Sequence, residues 1–215
     1  MHAGEVSKAA PDLEKGLARE TFSRLLAACY YEPESQLVEE DVFGALGRAA
    51  QTLGGGLAET VSHLGATFQG ESQETLLLDY ARLFLGPIGI LAKPYGSVWL
   101  EGEKIVMGDS TMAIIELYRQ GGFELDAEFR EVPDHVAAEL EFLYLLQFQL
   151  NEARRLGDAA GEAKAAKLKQ RLLRDHLGRW IGPFAAAMRG GAQTAFYQAL
   201  ADLTAVYVLK ELEAC

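Results

Sequence analysis

Val136-Ala-Ala-Glu-Leu-Glu-Phe-Leu-Tyr-Leu-Leu-Gln-Phe-Gln-Leu150 is the stretch on which the fold turns. Wound at 3.6 residues per turn, it puts Leu140, Phe142, Leu143, Tyr144, Leu145, Leu146 and Phe148 on nearly every side, so the spacing predicts a helix through the middle of a bundle. It shows no period-2 alternation, and Glu139 and Glu141 interrupt its head. It is also far shorter than the roughly 18 apolar residues that span a bilayer. Pro133 is expected as its first helical residue, because the missing N–H costs nothing there and φ is already helical. Asp134 adds favourable charge to that terminus.

Outward from this rod, apolar residues recur at helical spacing almost everywhere, and the predicted class is all-α, a multi-helix bundle with a long central helix. On the N-terminal side Pro11-Asp12 precede a helix to about Tyr31, with Phe22, Leu25, Leu26 and Cys29 on one face. A second helix spans Glu39 to Leu53 and stops at Gly54-Gly55-Gly56, and a third runs to about Phe68. Ser72 opens a fourth, whose buried face is Leu76, Leu77, Tyr80, Leu83 and Phe84; Gly86-Pro87 ends it. The segment from 86 to 108, GPIGILAKPYGSVWLEGEKIVMG, reads as a long irregular connection, a kind of loop that is usually functional in a compact domain. A helix from the natural cap Asp109-Ser110 fades at Gly121-Gly122. One domain over 1–215 is expected, with an N-terminal half over about 12–120, a linker over about 121–132 and a C-terminal half over about 133–215. Gly121-Gly122 is placed to act as a hinge through which two copies exchange halves. Beyond the rod, an exposed helix from Asp158 runs toward Leu177, Trp180-Ile181 close it onto the core before Pro183, and a last helix spans about Gln193 to Leu212.

The 215 residues hold 20 Lys+Arg against 31 Asp+Glu, a formal charge of −11, and are 49% hydrophobic. This is an ordinary globular composition, long enough to bury a sizeable core unaided. The acidic excess repels phosphate backbones, so nucleic acid is not expected as a partner, while basic partners are favoured. Cys29 and Cys215 lie at opposite ends and neither belongs to a CxxC pair, which removes support for a zinc ribbon or a disulfide framework and fits a reducing cytosol. The first residues carry no basic start and no apolar run, so they do not read as a signal peptide. No membrane insertion is expected.

Enzyme motifs are mostly missing: there is no GxSxG elbow, no GxxxxGK[ST] loop, no GxGxxG after a strand and no HExxH. Glu59 with His63, and His135 with Glu139, are i,i+4 pairs that each offer half a metal site without a second half, so no metal is expected. Asp134 and His135 point about 100° apart on a helix and do not make a dyad. The bland reading is a cap carboxylate beside an imidazole paired with Glu139. The rival is an enzyme of small molecules or nucleotides in a helical scaffold, with His135 as acid/base and Asp134 or Glu139 as its helper. Tyr95 and Trp99 sit among Gly and Pro, where they either pack the loop onto the bundle or line a groove.

Three blocks, Tyr80-Ala-Arg-Leu-Phe-Leu-Gly-Pro87, Lys93-Pro-Tyr-Gly-Ser-Val-Trp-Leu100 and Glu131-Val-Pro-Asp-His-Val-Ala-Ala-Glu-Leu-Glu-Phe142, resemble successive motifs of the TorD/DmsD family, and Asp175-His-Leu-Gly-Arg-Trp-Ile181 resembles its late H-L-x-x-W segment. Within them Tyr80, Leu83, Phe84, Gly86, Pro87, Pro94, Gly96, Ser97, Pro133, Phe142 and Trp180 are the motif residues. The resemblance implies an all-helical cytoplasmic chaperone, not an enzyme, dedicated to a molybdopterin-dependent reductase. Such a chaperone binds the twin-arginine signal peptide of the immature catalytic subunit and delays export until the cofactor is installed. It also implies a peptide-binding region at Tyr95, Trp99, Asp134 and His135, with Glu131 and Glu139 as additions. No resident cofactor is implied; a weak GTP contact or a transient contact with the molybdopterin cofactor finds no motif here. The client reductase, and a monomeric or dimeric state, stay open.

Overall fold

The computed structural model describes residues 3–34, 36–86, 89–102, 107–126, 129 and 131–215, and all side chains among them except those of 3–11, 36 and 38. Its helices are α1 (Ala3–Ala28), α2 (Gln36–Glu39), α3 (Val42–Leu53), α4 (Leu57–Gly70), α5 (Gln73–Tyr80), α6 (Gly96–Glu101), α7 (Asp109–Gly121), α8 (Val136–Leu156), α9 (Ala159–Arg171), α10 (Leu177–Gly191) and α11 (Ala195–Glu213). π-Helical turns extend α5 through Ala81–Leu85 and join α9 to α10 through Leu172–His176. Among the described residues the sole β-type pairing is an isolated antiparallel bridge between Tyr95 and His135. The fold is all-α.

The rod is α8. His135 caps it, its Nδ1 accepting from the Ala137 N–H at 3.2 Å, and Gly157 ends it in the left-handed conformation (φ 70°). It packs along α1 on one side and α9 on the other. Leu140, Phe142, Leu143 and Leu146 are fully buried, but Phe148 is 40% exposed and Tyr144 and Leu145 are half-buried. One stripe of the rod therefore faces solvent, where the apolar run predicted burial on nearly every side. The rest of the core is continuous: Phe22 and Tyr30 of the first helical segment meet Trp180 and Phe184 of α10 and Phe196, Tyr197 and Tyr207 of α11. Burial of each such side chain contributes roughly 1.5–3 kcal/mol.

Several boundaries differ from the sequence expectation, each for a tertiary reason. The irregular connection contains α6, because a carboxylate 37 residues away caps its first turn (Ser97 N–H to Asp134, 2.6 Å). The cap of α7 is not Asp109-Ser110 but Glu101 at the end of α6, whose carboxylate accepts from the Asp109 and Ser110 N–H groups. Pro133 lies in the turn before α8 instead of at its first position. Pro183 sits inside α10, which continues through it to Gly191. The segment after α7 is not a bare linker, since Phe123 packs against Tyr118 and Phe142 at ring distances of 4.8 and 5.6 Å. The first helix begins earlier than Pro11, and the second at Val42 after the short α2. Pro87 lies outside the described residues.

Candidate functional site

The α5–α6 segment and the start of α8 lie side by side. The Gly96 N–H donates to the Asp134 carbonyl at 2.9 Å and the Val136 N–H to the Pro94 carbonyl at 2.8 Å, which makes the Tyr95–His135 bridge. Tyr118 fixes the turn from below, its hydroxyl donating to the Pro133 carbonyl at 2.9 Å. On the other side the Ala92 N–H donates to the Leu83 carbonyl, so the buried Leu83 and Phe84 anchor the segment to the π-turn after α5. Gly86 closes that turn with φ 20°, and a Cβ there would meet the Gly89 carbonyl oxygen at 2.5 Å.

Asp134 is fully buried. Its Oδ2 holds the Ser97 N–H, so the charge expected at the start of α8 serves the start of α6. The buried Ser97 Oγ and Asp134 Oδ1 have no hydrogen-bond partner among the described residues. His135 is buried as well, with Tyr95 and Phe129 edge-on to its ring at 5.7 and 6.3 Å. Burial pushes its pKa down to about 4, against the upward pull of Glu131 and Asp134. The imidazole is neutral at neutral pH, as its acceptor role at the α8 cap requires.

Glu139 does not pair with His135. Its carboxylate lies 2.9 Å from His176 Nδ1 and takes a second donor from Trp180 Nε1 at 3.3 Å. The other imidazole nitrogen, Nε2, lies 3.1 Å from the Ser110 carbonyl. A carbonyl only accepts, so Nε2 carries a proton. Burial opposes the charged imidazole, but the Glu139 carboxylate and its hydrogen bond outweigh it and hold the His176 pKa above its ordinary value. Gly96 closes over this triad: a Cβ there would meet His176 Cε1 at 2.9 Å, Trp180 Nε1 at 3.0 Å and Glu139 Oε1 at 3.1 Å. His176 was missed as a member of the site. Its i,i+4 spacing to Trp180, and a buried Glu139 in need of a partner, were the available signals.

Tyr95, Trp99 and Glu131 are partly exposed. The Tyr95 hydroxyl donates to Glu131 Oε2 at 2.6 Å, and its pKa is raised by burial and then by that carboxylate. Tyr80 is pushed up to about 12 by burial, with the charges of Glu131 and Glu32 adding to it. Trp99 donates to the Lys93 carbonyl at 2.8 Å and turns its ring edge to Phe184 at 6.4 Å, clasping the segment to α10. The geometry is thus a partly open acidic and aromatic surface carried on a buried frame of Asp134, His135 and Glu139. Among the described residues no group of three His, Cys, Asp or Glu stands ready for a metal ion. Nor is any helix among them long and apolar enough to cross a membrane.

Residues 48–186 match the family model described as nitrate reductase delta subunit. The chain is 33% identical over 191 residues to the Tat proofreading chaperone DmsD of Salmonella typhi, with 87% of each chain covered. It is 27% identical over 145 residues to the chaperone protein TorD of Shewanella piezotolerans, covering 64% of this chain and 61% of that protein. These relatives are named as chaperones and not as enzymes, which leaves the enzymatic alternative without support. The chain belongs to the nitrate reductase delta subunit family, in its TorD/DmsD group of chaperones.

Proposed function

We propose that the protein is a cytoplasmic proofreading chaperone that binds the twin-arginine signal peptide and the immature catalytic subunit of a molybdopterin-dependent reductase, assists cofactor insertion and delays export until folding is complete. The relatives' names support the proofreading role. The observation that carries the peptide-binding part is the Tyr95–Glu131 pair at the open edge of the Tyr95–His135 bridge. A guanidinium presents a planar fork of donors, and a carboxylate backed by tyrosine rings matches it by charge and by face.

Ordering a disordered peptide costs about 2–5 kcal/mol, while one charge-assisted hydrogen bond returns about 1.5–3. Arginine recognition alone barely holds such a ligand. Apolar contacts of the signal's following stretch, at roughly 1.5–3 kcal/mol for each large side chain, supply the surplus. Trp99 and Tyr95 contribute such area. Asp134, His135 and Glu139 act on this reading by holding the bridge in place. Calorimetry with a peptide carrying Arg-Arg, and with its Ala-Ala counterpart, tests the proposal. Binding of the first and not the second, weakened by Tyr95→Ala, is expected; equal binding of the two peptides defeats it.

A further inference from the structure

Toward the far end of α8 from the Tyr95–His135 bridge, a cavity of about 460 Å³ opens between α1, α8, α9 and α11. At 1.5 Å per residue along α8, Gln147 and Arg154 in its wall lie roughly 18 and 28 Å from His135. The chain carries a formal charge of −11, yet this lining is cationic: Arg19, Arg154, Lys167 and Lys169 stand around the single carboxylate side chain of Glu211.

The floor is held rigidly. Lys169 gives one N–H to Gln147 Oε1 and another to Glu211 Oε2, both at 2.7 Å, and Arg19 Nε donates to Glu211 Oε1 at 2.9 Å. Lys169, Gln147 and Glu211 are all more than nine-tenths buried. Gln147 is locked in turn, since its amide donates to Asn151 Oδ1 at 2.9 Å, and the Asn151 amide donates to Glu20 Oε2 at 3.0 Å. Both oxygens of Glu211 and the side-chain oxygen of Gln147 are therefore spent, whereas donors are left over. The remaining N–H of Lys169 and the terminal N–H groups of Arg19 meet no acceptor among the described residues.

Arg19 and Lys169 carry two positive charges against one negative on Glu211, so one further negative charge balances the floor. Arg154 is already paired, with Glu162 at 2.8 Å. A planar monoanion with two oxygens matches a guanidinium fork beside an ammonium. A phosphate matches less well. Phosphate sites draw on clustered backbone N–H groups at helix starts, and these walls come from the body of α1 and the second halves of α8, α9 and α11, where backbone N–H groups are spent on helical bonds.

We propose that this cavity binds a carboxylate, delivered by an acidic side chain of a partner protein or by a small free acid. The site is separate from the peptide-binding surface proposed above and does not rest on it.

Proton–nitrogen NMR on the full chain tests the site, with the Arg19 Nε–Hε signal as reporter, assigned by its loss in Arg19→Gln. The probes, at constant ionic strength, are butyrate, an end-capped Gly-Ser-Glu-Leu-Ser-Gly peptide, their neutral counterparts butyramide and Gly-Ser-Gln-Leu-Ser-Gly, and inorganic phosphate. Saturable shifts with the acids and not with their neutral counterparts are expected, and the tighter acid names the source. Lys169→Gln, which keeps an N–H for Glu211 but no charge, is expected to weaken binding by about tenfold or more. Lys167→Gln, on an exposed side chain, is expected to weaken it about two- to fivefold and carries the comparison if Lys169→Gln fails to fold. A signal that neither acid moves, a neutral counterpart that binds as tightly as its acid, affinity unchanged in the folded variants, or phosphate binding more tightly than butyrate overturns the carboxylate site.

Discussion

Two buried histidines are held in opposite protonation preferences only a few residues of structure apart. His135 is neutral because burial opposes its charge and because its Nδ1 accepts the α8 cap bond; His176 favours its proton because Glu139 faces it. For His135 the folded pKa is depressed, so its contribution to stability is complete above the ordinary value near 6.5 and is lost as pH falls toward about 4. For His176 the folded pKa is raised, so its contribution is complete below 6.5 and is lost as pH rises through the folded value. Thermal melts across pH check both. His135→Asn, which keeps an acceptor for the Ala137 N–H, is expected to lose less stability than the unaltered protein between pH 6.5 and 4, by on the order of 3 kcal/mol at most. His176→Asn is expected to be clearly less stable at pH 6, with the gap narrowing by pH 9. Parallel curves in either case would show that these imidazoles do not titrate as the geometry requires. Asp134, His135 and Glu139 were legible in the sequence as a group. Their partners were not, because Ser97 and His176 are each 37 residues from the carboxylate they meet, and no local pattern reports a contact at that distance.

At the scale of elements, the site depends on the fit of α6 against α8 and the π-turn after α9. Gly96 is where that fit is tightest, with no room for a methyl group beside His176, Trp180 and Glu139. Gly96→Ala is expected to lower stability by about 1–3 kcal/mol and to weaken peptide binding, because the bridge must move outward to admit the Cβ. Chemical denaturation measures the first effect and calorimetry the second; a variant as stable as the parent shows that the frame yields without cost. The same packing explains which boundaries sequence reasoning missed. Local signals at Ser72 and Gly54 sufficed, since the Ser72 hydroxyl does accept from Thr75 N–H and Gly54 does end α3 at a positive φ. At α6 and α7 the caps come from Asp134 and Glu101, outside the helices they serve. Trp180-Ile181 were expected to close the helix onto the core before Pro183, yet α10 runs through the proline with Trp180, Ile181 and Phe184 all buried on either side. Their burial outweighs the one hydrogen bond that a proline forgoes.

For the whole molecule, the formal charge of −11 acts on approach before any contact forms. On the proposed function it draws in a cationic peptide, and screening removes the attraction over distances beyond about 8 Å at physiological salt. The association rate is therefore expected to fall several-fold between about 20 mM and about 300 mM salt, while dissociation, governed by aromatic and apolar contacts, changes little. Stopped-flow mixing separates the two rates, and a salt-independent association rate would mean that charge plays no part in capture. The all-helical class and the central rod followed from periodicity. The shape of the site followed only once the chain had brought residues 93–97 and 131–136 together.

Central to the proposed function is a contact between a signal arginine and the Glu131 carboxylate beside Tyr95. A double-mutant cycle measures it, with Glu131→Gln on the protein, Arg→Ala on the peptide and calorimetry on all four combinations. The expected coupling is about 1–3 kcal/mol, the range for a hydrogen bond to a charged group. Losses that simply add, within about 0.5 kcal/mol, would place the arginines elsewhere and contradict the account.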